Sequence, residues 1–291
     1  MNPTKSIAFI VCYLGKLPWY FNYFVHSCKY NPTVDFYIIT DGEAYTHPLP
    51  GNVKLVYKTL PEINLAATKK LGFEVNITLG YKLCDFKPAY GFIFPELIEG
   101  YDFWGYCDID IIFGNIRDFM TDDLLENYDL ISTRPDWIPG CFLLFKNCLK
   151  MNTLFQQSKD YKKVFTGQKH YCFDETNFAH SAFEAGKTYL EINTEIESMM
   201  HVVQKMEEKN YIKPFFDLFI IEGGCPGNLK WENGKMSYKN RFEILLYHLI
   251  KFRKVYTPKG DVKYIPGNFT ISPTKIYHKA KPKVVINEFE L

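Results

Sequence analysis

The stretch that most constrains this chain is Gly100 to Arg117, GYDFWGYCDIDIIFGNIR. Apolar residues Phe103 to Cys107 run straight into Asp108-Ile109-Asp110, and Ile111 to Phe113 follow before Gly114. An apolar run bounded by glycines reads as a strand buried on both faces. Two carboxylates in its middle need compensation, because a buried ionised carboxylate is costly unless it is paired or bound to a cation. A divalent metal at the end of the strand is the simplest compensation. Alternation sends Asp108 and Asp110 to the same side, so both reach one ion, or one reaches the ion and the other a ligand. The competing reading is that these acids cap a turn.

The 291 residues suffice for one large α/β core or two smaller ones. A net charge of +1 argues against a wholesale nucleic-acid role. Aromatic residues make up 17% of the chain, a share read here chiefly as compositional drift rather than as aromatic-lined binding surfaces. Charge is uneven: between Lys239 and Lys283 the chain carries eleven Lys or Arg against two acids, Glu243 and Asp261. Such a stretch suits phosphates or anionic lipid headgroups, and equally a solvated surface. The eight cysteines form no CxxC pair and several sit in apolar runs, which indicates a reducing compartment and no disulfide framework. The apolar run Ile7 to Leu14 is too short for a signal peptide and no stretch reaches the length of a membrane span. These features imply a cytoplasmic protein, peripheral at the inner face of the membrane if the basic region meets lipid.

In order, IAFIVCY (7–13) looks like a central parallel strand. Pro18 suits the start of a helix running to about Tyr30. Val34 to Thr40 is a second strand ending in Asp41-Gly42, and Val53 to Tyr57 a third. This is the opening of a nucleotide-binding α/β fold with a mixed central sheet flanked by helices. Ligands in such sheets bind at the carboxyl ends of strands, which brings Cys12, Tyr13, Gly15, Asp41 and the Asp108–Asp110 pair to one edge. Asp41 there can accept from a base or ribose, or simply serve the turn before Gly42. Lys82, Asp85 and Lys87 form an ion cluster in an otherwise apolar segment, and a helix follows to about Glu99. Trp137, in a loop with two prolines, either stacks on a sugar or fills the core. Asp174 and Glu175 read as the N-cap and first turn of a helix to about Ala185. Thr194 and Glu197 have capping-box spacing and open a helix to about Lys209. Arg241 to Ile250 is a last helix or strand.

Four segments in order, YKLCDFKPAYG (81–91), GYCDIDIIFGNI (105–116), IPGCFLLFKN (138–147) with FDETNF (173–178), and YHLIKFRK (247–254), resemble a GT-A-fold glycosyltransferase. More narrowly they resemble the DUF6625-type sugar transferases of bacterial polysaccharide gene clusters and, more distantly, the glycogenin-like transferases. One departure is plain: His248 is followed by LIKFRK, not by the Gly-then-Lys-Pro-Trp ending of the glycogenin type. The resemblance implies a single catalytic domain over 1–255, with a nucleotide-binding half (1–117) and an acceptor half (118–255), followed by a basic extension (256–291). It implies Asp108, Asp110 and His248 as ligands of Mn²⁺ or Mg²⁺, with Asp108 also near the ribose. Lys82, Lys251, Arg253 and Lys254 would meet the diphosphate, with Lys87 and the strand ends also on the donor. Asp85 would hold donor-sugar hydroxyls, and Glu175 or Asp174 would act on the acceptor or support the donor sugar. The partners are a nucleotide-diphosphate sugar, UDP-linked, and a glycan or lipid-linked glycan; the glycogenin-like order leans to retention. The rivals are a non-catalytic nucleotide-sugar-binding or scaffold protein, and a HAD-like phosphatase. The latter needs an acid after the first strand, which Ile7 to Tyr13 lacks.

Overall fold

The computed structural model describes residues 4–278 except 261 and 263. Three parallel strands open the chain: Ile7–Cys12 (β1), Val34–Thr40 (β2) and Val53–Tyr57 (β3). Phe103–Cys107 (β4) joins β1 on its other side, also parallel. After the short strand Ile111–Phe113 (β5), Leu130–Ser132 (β6), Phe142–Lys146 (β7) and Pro214–Phe216 (β8) complete a seven-stranded mixed sheet. Its order is β3-β2-β1-β4-β7-β6-β8, with β7 antiparallel to both β4 and β6. The α/β class and the mixed central sheet flanked by helices are therefore as the sequence implies. Strand β1 is apolar on both faces because it feeds two cores. Phe9 and Val11 pack with Phe36, Phe113 and Phe142, while Ile10 packs with Trp104, Tyr106 and Phe145.

Two helices follow the sheet's opening strands. Phe21–Lys29 (α1) begins three residues after Pro18. Leu60–Leu71 (α2), which the sequence reading passed over, starts on a full capping box between Thr59 and Glu62 and ends on Gly72 at φ +76°.

The DID segment is not the middle of one strand. Strand β4 stops at Cys107, Asp108–Asp110 form a turn, and β5 leaves for a second sheet, order β5-β13-β9. That sheet also holds Ile220–Ile221 (β9) and Leu246–His248 (β13). The two carboxylates thus sit where the chain changes sheets, Asp110 buried at 5% exposure and Asp108 partly open. Other expectations also change. The helix after Tyr90 is one turn, Tyr90–Ile93, followed by a 3₁₀ turn at Pro95–Leu97. Asp174 and Glu175 lie in a turn-rich segment, and the helix beyond it is only His180–Glu184. Thr194 caps nothing: its hydroxyl donates to Ile196 O, and the helix Met199–Glu208 starts after Ser198.

The 256–278 part of the expected basic extension belongs to the body of the fold. Leu229–Glu232 (β10), Lys235–Tyr238 (β11) and Phe242–Glu243 (β12) form a sheet with Asn268–Ile271 (β14) and Ile276–His278 (β15). Phe269, Ile271 and Ile276 are buried in the same core as β1. The remainder of that basic region, 279–291, lies outside the described residues. All eight cysteines are free, as expected.

Candidate functional site

A cavity of about 570 Å³ opens at the carboxyl ends of β1 and β4. Four chain segments line it: the end of β1 through Leu14, the 80–90 turn, Asp108–Asp110, and 170–180, with His248, Ile250 and Arg253 closing it. His248 arrives from 138 residues downstream because β13 runs antiparallel to β5, pairing His248 with Ile111. The bond from Leu249 N to Asp110 O (2.7 Å) locks that register.

Ligand atoms of Asp108, Asp110 and His248 all lie within 4.8 Å of one another. His248 Nε2 is 3.3 Å from Asp110 Oδ1 and 4.0 Å from Asp108 Oδ2. Its other nitrogen, Nδ1, is 2.8 Å from Glu222 Oε1, and Arg134 stands 3.5 Å from the same carboxylate. A carboxylate behind a histidine fixes ring orientation and leaves the far nitrogen for a metal. Two carboxylates and an imidazole so arranged fit Mn²⁺ or Mg²⁺. Burial raises the Asp110 carboxyl, yet His248 and Arg253 outweigh it and hold the group below the usual carboxylate range. At Asp108 burial prevails over Lys87 and the carboxyl is raised.

Lys87 is the hub of the site. Its buried ammonium donates to Asp108 Oδ1 (2.7 Å) and Gly140 O (2.8 Å) and lies 3.5 Å from Asp174 Oδ2. Burial opposes its charge, but Asp108 and the neighbouring groups raise its pKa well above the ordinary lysine value. It is therefore a permanent cation. Arg253 NH1 bonds the Tyr20 hydroxyl (3.0 Å) and sits 3.2 Å from Asp110 Oδ2.

Opposite lies a second acidic group. Gly140 N donates to Glu175 Oε1 (2.5 Å), and Glu175 Oε2 meets His180 Nε2 at 2.7 Å and the Cys172 thiol at 3.2 Å. A Cβ at Gly140 would stand 2.7 Å from Asp174 Oδ2 and 2.8 Å from Glu175 Oε1, so only glycine lets both acids close on this loop. Burial pushes Glu175 up, but His180 and Gly140 outweigh it and pull the carboxyl down to about 2. Burial alone dominates Asp174 and raises it well above the usual range. Two adjacent acids thus hold opposite protonation tendencies.

The family model that matches this chain covers residues 9–280 and is described as a family of unknown function, DUF6625. The chain belongs to the DUF6625 family. No curated protein matches it in sequence. Among solved structures it is similar to the galactosyltransferase LgtC in complex with donor and acceptor sugar analogues, at 13% identity and a TM-score of 0.32 over 56% of this chain and 66% of that one. It is also similar to the apo form of the glycosyltransferase GlyE of Streptococcus pneumoniae TIGR4, at 11% and 0.32 over 75% and 46%. A third is mouse xyloside xylosyltransferase 1, apo form, at 10% and 0.38 over 83% and 97%. The chain thus spans just under two thirds of LgtC and less than half of GlyE, and the functional reading rests on the site's own geometry.

The DUF6625 chain does not bring every expected residue to this cavity. Lys82 and Asp85 are 2% and 0% exposed and pair with each other at 2.8 Å. Lys82 also donates to Val164 O and Lys169 O, and Asp85 accepts from Tyr171 N and Phe173 N. Both are spent on holding the 164–173 segment, so neither is free for a phosphate or a sugar. Asp41 accepts from Gly15 N at 2.6 Å, tying the loop after β2 to the loop after β1; neither residue lines the cavity, whereas Cys12 and Tyr13 do. Lys251 and Lys254 are exposed and outside it, while Arg253 points in. Trp137 is buried under the Arg134 guanidinium, 3.5 Å from the ring centroid. Sequence reasoning missed His180 and Glu222. No motif marks them; each acquires its role only through a partner brought in by the fold.

Proposed function

We propose that this chain is a GT-A-type glycosyltransferase that moves a sugar from a nucleotide diphosphate, a UDP-sugar, to a glycan or lipid-linked glycan in surface polysaccharide synthesis. The observation that carries the reading is the convergence of Asp108, Asp110 and His248, flanked by Lys87 and Arg253, at the carboxyl ends of parallel strands. Breaking a sugar–phosphate bond builds negative charge on the departing diphosphate, and preorganised cations lower that barrier. A divalent ion held by Asp108, Asp110 and His248 would supply Lewis-acid stabilisation of that charge. Arg253 and Lys87 supply fixed positive charge beside it. Glu175, ionised and with both oxygens already bonded, is better suited to supporting positive charge on the donor sugar than to taking a proton, since an effective base has a pKa near the working pH. That favours retention. Asp174 and His180 then offer hydrogen bonds to acceptor hydroxyls. Among the described residues no helix is long and apolar enough to cross a membrane. Nucleotide sugars are cytoplasmic, and the reading puts the protein with them, its basic residues available to anionic headgroups where the acceptor is lipid-linked.

The test is a thermal-shift and calorimetric panel of UDP, GDP and CMP and their sugars, each with Mn²⁺ and with EDTA, on wild type and Asp110→Asn. Saturation to about 100 times the Kd stabilises the native state by about 2.7 kcal/mol, a readily measured shift. We expect UDP to give it only with Mn²⁺, and Asp110→Asn to lose it while keeping a wild-type circular dichroism spectrum. Equal binding by Asp110→Asn sinks the metal assignment, and no shift with any nucleotide returns the chain to the scaffold reading. Turnover of a UDP-sugar separates the transferase from a protein that only binds it.

A further inference from the structure

Three aromatic rings stand at the mouth of the cavity on the side of Glu175 and His180. Tyr81 and Phe178 are 69% and 60% exposed, and both line the cavity with His170 between them. The ring centroids of Tyr81 and His170 are 4.6 Å apart and those of His170 and Phe178 5.7 Å, both edge-to-face. Behind His170 lies the fully buried Asp85, its Oδ1 3.2 Å from the ring's Nδ1. Phe178 is held in an unusual state: its φ is +65°, and Asn177 before it is at +52°. Left-handed backbone is disfavoured for a bulky side chain and persists only where the surroundings impose it. Here Asn177 imposes it, its amide donating to Tyr171 O and its carbonyl oxygen accepting from Glu195 N and Ile196 N. The fold therefore spends backbone strain to hold a phenyl ring in the open, where burial returns nothing.

We propose that Tyr81, His170 and Phe178 form the stacking platform for a pyranose ring of the acceptor glycan; the inference rests on the reading of this cavity as a sugar-transfer site. Exposed apolar rings rimmed by polar groups mark ligand surfaces. A pyranose has the matching character, an apolar C–H face to lie on rings and hydroxyls around its edge. Asp174 and His180, in the same cavity, are the groups that bond such hydroxyls. The donor end, with Asp110, His248 and Arg253, is formed by other elements and carries the cations that a diphosphate needs. The rings thus belong with the uncharged acceptor rather than with the nucleotide.

The experiment measures two bindings on the full chain. One is UDP with Mn²⁺ by calorimetry; the other is saturation-transfer NMR of lactose, cellobiose and maltose in the presence of UDP and diamagnetic Mg²⁺. We expect transfer to the C–H protons of at least one disaccharide, weakened about five-fold or more in Tyr81→Ala and in Phe178→Gly, the size of one aromatic contact, and restored by Phe178→Tyr. UDP affinity stays at the wild-type value throughout. Phe178→Gly keeps or raises the melting temperature, because glycine adopts this backbone freely, whereas a ring serving the core would lower it. Disaccharide binding that is absent in a UDP-binding protein, or unchanged in both variants, overturns the platform. Loss of UDP binding in the ring variants assigns the rings to the nucleotide and overturns it as well. A wild-type chain that binds no nucleotide overturns the sugar-transfer reading itself, and the platform with it.

Discussion

Lys82→Met separates an anchor from a ligand. Lys82 Nζ makes three bonds, to Asp85 Oδ2 at 2.8 Å, Val164 O at 2.7 Å and Lys169 O at 2.5 Å. Methionine fills a similar volume but donates nothing, so it leaves two carbonyls and a fully buried carboxylate short of a partner. Removing one member of a buried ion pair costs about 3–5 kcal/mol. Asp85 retains the Tyr171 and Phe173 amides, which places the expected loss at about 3 kcal/mol, the lower end of that range. At about 2–4 °C per kcal/mol for a chain of this size, the melting temperature should fall by roughly 6–12 °C. Burial pulls the Lys82 ammonium below the usual lysine value, while Asp85 is held low despite its own burial, first by His170 and then by Lys82. The backbone carbonyls on Lys82 and the backbone amides on Asp85 each serve the charged form of the group they bond. A depressed carboxyl contributes stability above its unfolded value of about 3.9, lost as pH falls through the folded one; Lys82→Met should shrink this acid-side loss. Scanning calorimetry and circular dichroism read the stability, and titration with UDP and Mn²⁺ well below the new midpoint reads the site. A wild-type melting temperature with lost UDP binding would refute the anchor role and restore Lys82 as a phosphate contact. Adding Asp85→Asn to Lys82→Met removes the stranded charge, so the double variant should lose less than the two single losses combined.

Gly140→Ala drives a methyl to within 2.7–2.8 Å of Asp174 and Glu175; we expect about 1–3 kcal/mol of destabilisation from overpacking and, on the proposed function, a larger fall in sugar transfer than in UDP binding, with equal falls counting against a role for these acids in transfer. The Glu175–His180 pair gives a pH signature. The Glu175 carboxyl, at about 2, contributes stability above its unfolded value of about 4.3 and loses it as pH drops toward 2. Burial lowers His180, but Glu175 outweighs it and raises the imidazole, so this contribution is full below about 6.5 and is lost as pH rises through the raised value. Urea midpoints of wild type minus His180→Asn should therefore differ most near pH 5–6 and converge toward pH 9; a difference that stays flat to pH 9 would remove the ion pair from the account.

What the sequence made legible follows from where each signal is written. A continuous apolar run marks β1 because a strand buried on both faces needs no polar alternation, and β1, β2 and β3 are all found where the sequence places them. The capping box at Thr59 and Glu62 was equally legible, yet α2 went unread among the louder apolar segments. The DID misreading has a physical source: Phe103–Cys107 and Ile111–Phe113 are both buried, and hydropathy cannot register that the chain changes sheets between them. Among the charges, Lys82 and Lys87 are chemically alike on paper, with Asp85 between them. The 3₁₀ turn Gly80–Ala89 decides their fates. Residues three apart on such a turn lie one above the other, so Lys82 and Asp85 neutralise each other in the core. Lys87, two residues further on, falls out of that line and reaches Asp108 and Gly140 instead. One ammonium then touches both the Asp108–Asp110 turn and Gly140, whose amide holds Glu175, which makes the two acidic walls of the cavity a single electrostatic unit. His180 and Glu222 complete that unit from positions with no sequence mark, because an imidazole or a carboxylate acquires its function from the partner the fold supplies. The motif residues name the chemistry, and the unmarked residues set the charge state in which it can run.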